Sequence, residues 1–153
     1  MTIYFEDFQA GHTWELGSYT FTEESIIEFA RQYDPQYFHT DPIKAKESIF
    51  GGLVASGWQT LGIYMRLIVE NMINQTPSLG SPGMEEIRFL KPVQPGDTVS
   101  VHYTTLESRT SASRPNMGII RFRGELWNQD GEQVLRVVGT GFFGRRPAEI
   151  SGA

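Results

Sequence analysis

A chain of 153 residues, 39% hydrophobic and 20% charged, has the size and make-up of one globular domain, able to bury roughly two-thirds of its unfolded surface. The balance of 13 Lys and Arg against 18 Asp and Glu gives a net charge of −5. That argues against nucleic-acid or anionic-membrane binding, which call for a basic surface. Cysteine is absent, so a disulfide framework, a thiolate metal site and a cysteine nucleophile are excluded.

The opening, MTIYFEDFQAG, is acidic and lacks the basic-then-apolar layout of a signal peptide, so a cytoplasmic protein is expected. Residues 12–21, with Trp14, Leu16, Tyr19 and Phe21 around a glycine, read as a first strand. Thr22 stands where an N-cap belongs, with Glu23 and Glu24 in the first turn that follows. Ile26, Ile27, Phe29, Ala30 and Tyr33 recur at helical spacing, which predicts a helix over 23–33. Pro35 closes it and leaves Asp34 extended or in a turn at the helix end. Asp41-Pro42 looks like an N-cap followed by a first-turn proline, opening a short helix over about 42–48. Gly51-Gly52 marks a turn. From Gly57 to about Asn74 the apolar residues surround a helix axis on most sides, so this helix is expected to be enclosed by other structure. Its run from Leu61 to Ile73 is interrupted by Arg66, Glu70 and Asn71; a membrane span would need about 20 predominantly apolar residues.

After a Pro/Gly/Ser loop over 75–83 the texture turns to strands. Glu86 to Val93 is strand-prone but broken by Pro92, and Pro95-Gly96-Asp97 signals a turn. Val99, Val101, Tyr103 and Thr105 share one face of a strand over 98–106. Ile120, Phe122, Gly124 and Leu126 alternate with polar residues, and Asn128 to Gly131 is a hairpin turn into a strand over 134–143. The polar run 107–118 reads as a hairpin connection. An antiparallel sheet with helices on one face, α+β in class, accounts for this order within a single domain over 1–153. If the sheet curls round the helix starting at Gly57, that helix gains the burial its composition demands.

Several apparent motifs fail on context. Gly139 to Gly144 matches G-x-G-x-x-G, but the chain runs on into Arg145-Arg146-Pro147 instead of the helix a dinucleotide fingerprint requires. Asn74-Gln75-Thr76 is a glycosylation sequon by pattern only. His12, His39 and His102 are scattered without metal-ligand spacing, so no metal site is expected. Ser56 lacks the G-x-S-x-G elbow of a serine hydrolase and reads as the cap of the long helix.

What remains is Asp34, His39 and the helix start at Gly57: a carboxylate, an imidazole and a set of unpaired N–H groups, the parts needed to activate water against a polarised carbonyl. Spacing alone leaves a second account open, in which Asp34 merely ends a helix and His39 bonds locally to Asp41. Polar groups beside so apolar a helix need partners, however, and a helix N-terminus favours a developing oxyanion.

At these residues the chain resembles the MaoC-like hydratases, the (R)-specific enoyl-CoA hydratases and their dehydratase relatives. The matching positions are Phe29-Ala30, Asp34, His39, Asp41 and Gly57, together with Phe5-Glu6-Asp7-Phe8, Gly11, Phe89 to Val93 and Pro95-Gly96-Asp97. The resemblance implies a hot-dog fold, an antiparallel sheet wrapped around a long helix, in homodimers or larger homo-oligomers. It implies an acyl-CoA substrate, with no cofactor besides the CoA of the thioester itself. Asp34 and His39 would hold a water, Asp34 helping to remove a proton as oxygen adds to C3 and His39 exchanging the proton at C2. The Gly57 N–H would stabilise the enolate oxygen. Three departures from the family pattern stand out: Gln36-Tyr37 for Asn-Pro, Ser56 for a histidine, and Met65 for a polar helix residue found in some relatives. Trp58 and Met65 suit an apolar acyl pocket or the core equally. Arg88, Lys91, Arg114, Arg121 and Arg123 are available to CoA phosphates, but none is singled out. A hot-dog thioesterase and a non-catalytic acyl-thioester-binding protein are the alternatives.

Overall fold

Alternating apolar residues make the sheet. In the computed structural model, which describes residues 1–148, five strands run β1 (Thr13–Thr20), β2 (Gly83–Phe89), β3 (Thr98–Thr110), β4 (Met117–Trp127) and β5 (Gln133–Gly144). Positions 149–153 of the expected domain lie outside the described residues. Every pairing is antiparallel, and the strand order is β1-β3-β4-β5-β2. Val99, Val101, Tyr103 and Thr105 are buried, as are Ile120, Phe122 and Leu126, as their alternation predicts.

The helices are α1 (Glu23–Tyr33), the single turn α2 (Tyr37–Thr40) and α3 (Gly57–Asn71). Thr22 caps α1, its Oγ1 accepting from the Ser25 N–H at 3.1 Å. The sheet closes on α3 through Ile63, Tyr64, Leu67 and Ile68, all buried, with Met72 just beyond. Gly124 makes room for the α3 phenol: a Cβ there would lie 2.2 Å from the Tyr64 hydroxyl.

The expectation that α3 is enclosed by other structure is met on its sheet-facing side and not at Trp58 and Met65. Trp58 is 61% and Met65 47% exposed, because one sheet layer covers one face of a helix and α1 only part of the rest. The helix also ends at Asn71, three residues early, and a 3-10 turn follows over Ile73–Gln75. The expected helix at 42–48 is a 3-10 turn over Lys44–Glu47. The strand expected over 86–93 runs instead from Gly83 to Phe89, paired with β5, and stops ahead of Pro92. The hairpin connection is confined to 111–116: the first residues of the polar run 107–118 extend β3 and the last two open β4, with Ser108, Arg109 and Thr110 pairing with Ile120, Ile119 and Gly118. Backbone pairing there outweighs the polar side chains, which stay in solvent.

Candidate active site

Proline geometry places the carboxylate. Asp34 follows the last turn of α1, its N–H donating to the Ala30 carbonyl, and Pro35 keeps it out of the helical region at φ −155°, ψ 71°. The chain then makes the one turn of α2, closed by Asp41 N–H to Tyr37 O at 2.9 Å, which swings His39 inward to 6% exposure. A four-residue helix such as α2 is too short to leave a periodic signal in the sequence. Asp41 serves the next turn, its Oδ1 accepting from the N–H groups of Ile43 and Lys44 at 3.0 and 3.1 Å. The alternative of a local His39–Asp41 bond therefore fails.

The partners of His39 come from a buried strap over 53–56. Val54 N–H donates to Phe38 O at 3.0 Å, and Ala55 N–H to Val93 O at 2.8 Å. The strap is thus suspended between α2 and the segment after β2. His39 Nδ1 lies 2.6 Å from the Val54 carbonyl oxygen. A carbonyl can only accept, so Nδ1 carries a proton and Nε2 is left for exchange. Nε2 faces Asp34 Oδ2 at 3.3 Å.

Ser56 completes the arrangement. It is fully buried; its hydroxyl donates to Asp34 Oδ2 at 2.8 Å and accepts from the Trp58 N–H at 3.2 Å. The reading of Ser56 as a helix cap holds, and its bond to Asp34 is a second task that sequence reasoning missed. Gln36, one of the departures from the family pattern, donates from Nε2 to Asp34 Oδ1 at 2.8 Å. Burial pushes the Asp34 pKa up, but the hydrogen bonds from Gln36 and Ser56 and the nearby His39 outweigh it, so the carboxyl lies below its usual range. Both carboxylate oxygens are held, and the group stays ionised.

Gly57 opens α3 directly after Ser56, and its N–H has no protein acceptor among the described residues. Asp34, His39 and Gly57 all line one cleft of about 420 Å³. All three residues singled out in the sequence are therefore brought together. The other walls are mostly apolar: Phe38, Phe50, Trp58, Phe89 and Val93, with Lys91 beside them. Lys91 pairs with Glu132. The remaining histidines lie elsewhere. His102 stands 3.8 Å from Glu15 on the β1–β3 face, and His12 meets the Trp14 ring edge-on.

A five-stranded antiparallel sheet closed on one central helix defines the hot-dog class of fold. The MaoC like domain family matches residues 7–119, and the chain belongs to this family of hydratases and dehydratases. The MaoC-like dehydratase of Rhodospirillum rubrum superposes with a TM-score of 0.86 at 35% identity, covering 95% of this chain and 99% of that one. Among curated relatives, the uncharacterized protein YdeM of Bacillus subtilis is 31% identical over 130 residues, 85% of this chain and 91% of its own length. Protein MaoC of Klebsiella aerogenes is 39% identical over 102 residues, 66% of this chain, and the match spans only 30% of that longer protein. Among the described residues, no helix is long and apolar enough to cross a membrane.

Proposed function

We propose that this protein is an enoyl-CoA hydratase, or in reverse a 3-hydroxyacyl-CoA dehydratase, with Asp34 and His39 as its acid–base pair. The observation that carries the reading is the approach of His39 Nε2 to Asp34 Oδ2 at 3.3 Å inside a cleft that also holds the free Gly57 N–H. A water held by the pair adds through oxygen to C3 of the enoyl thioester and gives up one proton to Asp34. That proton passes from Asp34 to the free Nε2 of His39, which delivers it to C2, and both members of the pair return to their starting states. The Val54 carbonyl holds the imidazole by Nδ1 throughout. In the enolate that links addition to protonation, negative charge gathers on the thioester oxygen. A helix-start N–H without another acceptor suits that oxygen.

Hydration of enoyl-CoA thioesters of varied chain length, followed by loss of the conjugated absorbance, tests the reading. The wild type is expected to hydrate at least one of them, and Asp34→Asn and His39→Ala to abolish it without unfolding the protein. Full activity in either variant would sink the assignment. Release of free thiol without hydration would make the protein a thioesterase, and tight binding without turnover a carrier or assembly protein.

A homodimer belongs to the same proposal, and a cytoplasmic setting fits an acyl-CoA substrate. The outer edge of β2 has no strand partner among the described residues. Ile87, Phe89 and Leu90 near it, and Trp58 and Met65 on α3, leave large apolar side chains in solvent. A second copy that pairs with this edge would cover them. Light scattering is expected to give twice the chain mass; a monomer at micromolar concentration would rule the dimer out.

A further inference from the structure

We propose that Phe89 sets the space in front of the Gly57 amide: it is a positioning residue for that N–H and a wall against substituents on C2 of the substrate. The inference rests on the thioester reading above and adds a residue to it.

The backbone gives no reason for glycine at position 57. Gly57 is not among the glycines with positive φ, and alanine would form the helix better. What keeps a side chain out is the neighbouring ring. A Cβ on Gly57 would lie 2.8 Å from Cε1, 2.8 Å from Cζ and 2.9 Å from Cε2 of Phe89. A point nearly equidistant from three ring carbons sits over the ring face, so Phe89 lies flat against the first residue of α3. The backbone beneath the half-exposed ring is held, because Phe89 pairs with Leu135 of β5 and the next N–H, of Leu90, donates to Val134 O at 3.0 Å. The ring therefore packs the end of the edge strand against a helix-start residue whose N–H has no acceptor among the described residues. Phe89 also lines that cleft together with Asp34, His39 and Gly57. A thioester that places its oxygen on the Gly57 N–H brings C2, one bond from the carbonyl carbon, next to the same ring.

Steric coupling and specificity can be read together in one cycle: wild type, Gly57→Ala, Phe89→Ala and the double variant. Each is assayed by thermal melting and by hydration of a straight-chain and a 2-methyl-branched four-carbon enoyl-CoA. Gly57→Ala retains its backbone N–H, so any loss reports the clash and not a deleted donor. It is expected to lose about tenfold or more in kcat on the straight-chain substrate, a change of the size seen when a reacting group is slightly misplaced. The double variant is expected to return to within about threefold of Phe89→Ala. Phe89→Ala alone should shift the ratio of kcat/KM, branched over straight, upward by about tenfold, as one methyl group in an apolar pocket does. Should Gly57→Ala not fold, a folded double variant supports the contact equally. Full activity in Gly57→Ala, or a double variant no better than the single, overturns the positioning role. An unchanged substrate ratio in Phe89→Ala overturns the wall. A wild type that hydrates neither substrate sinks the hydratase reading, and with it the catalytic part of this proposal. In that case non-additive melting temperatures across the cycle still uphold the contact, and additive ones remove it as well.

Discussion

The two ends of α3 are built on opposite terms. The C-terminal half is packed: Ile63, Tyr64, Leu67 and Ile68 are buried against the sheet, and Asn71 Nδ2 ties the helix to the Leu16 and Leu67 carbonyls at 2.9 Å each. At the N-terminal start, polar groups satisfy one another. Ser56 bonds Asp34 and the Trp58 amide, Gln36 bonds Asp34, and His39 spans from Val54 to Asp34. One half gains stability by excluding water; the other spends packing on a cleft that admits it. A single element can thus anchor the fold at one end and present chemistry at the other.

This contrast predicts that stability and activity respond to different ends. Asp34→Asn should lower kcat by about a thousandfold, within the range expected for a lost acid–base group, while a urea melt shifts little. A large loss of stability would mean that the carboxylate mainly holds the fold. Ile68→Ala should do the converse, costing about 2–5 kcal/mol in unfolding free energy with kcat per folded molecule retained. Loss of kcat in the folded Ile68 variant would show that the two ends are coupled.

Smaller changes sharpen the comparison. Ser56→Ala removes a helix cap, which costs about 1 kcal/mol at neutral pH. The linkage also has a direction. Asp34 titrates below the ordinary carboxyl value of 3.8, so its contribution to stability is complete above that value and is lost as pH falls through the lower folded one. Without the Ser56 hydroxyl the folded value rises, so the gap between variant and wild type should narrow in melts carried below the ordinary carboxyl value of 3.8. A constant gap would mean that Ser56 acts through the cap alone. By the same sign, any fall in kcat/KM between pH 8 and about pH 5 comes from a group other than Asp34 in the free enzyme.

The smallest effect is expected at the packed end. The Tyr64 hydroxyl is buried without a hydrogen-bond partner among the described residues, and burial raises its pKa well above the ordinary phenol value. Tyr64→Phe should leave stability unchanged or raise it by up to about 1 kcal/mol, since it deletes an unsatisfied polar group. A destabilised variant would point to a water on that hydroxyl.

Legibility followed the range of the interactions. The alternation over 98–105 and 120–126 showed which faces are buried, because side-chain direction in a strand depends only on neighbours two residues away. Thr22 and Ser56 were readable as caps for the same reason: a cap acts within three residues. The extent of the hairpin connection, 111–116 and not 107–118, and the exposure of Trp58 and Met65 on α3 were not legible, since polar residues pair as well as apolar ones along an extended backbone and an apolar helix face does not record what covers it. At the site, Asp34, His39 and Gly57 stood out by type, spacing and family resemblance. Their partners did not, for Val54 lies 15 residues from His39 and Ser56 lies 22 from Asp34.

The sequence by itself determined the two longer helices, the inward faces of the strands, the break at Pro35 that frees Asp34, and the family. Tertiary structure decided which nitrogen of His39 is free for exchange, what holds the Asp34 carboxylate ionised, and why position 57 takes glycine. Local preferences are written in each residue and its near neighbours. Hydrogen-bond partners and steric limits are set by segments that meet only once the chain has folded.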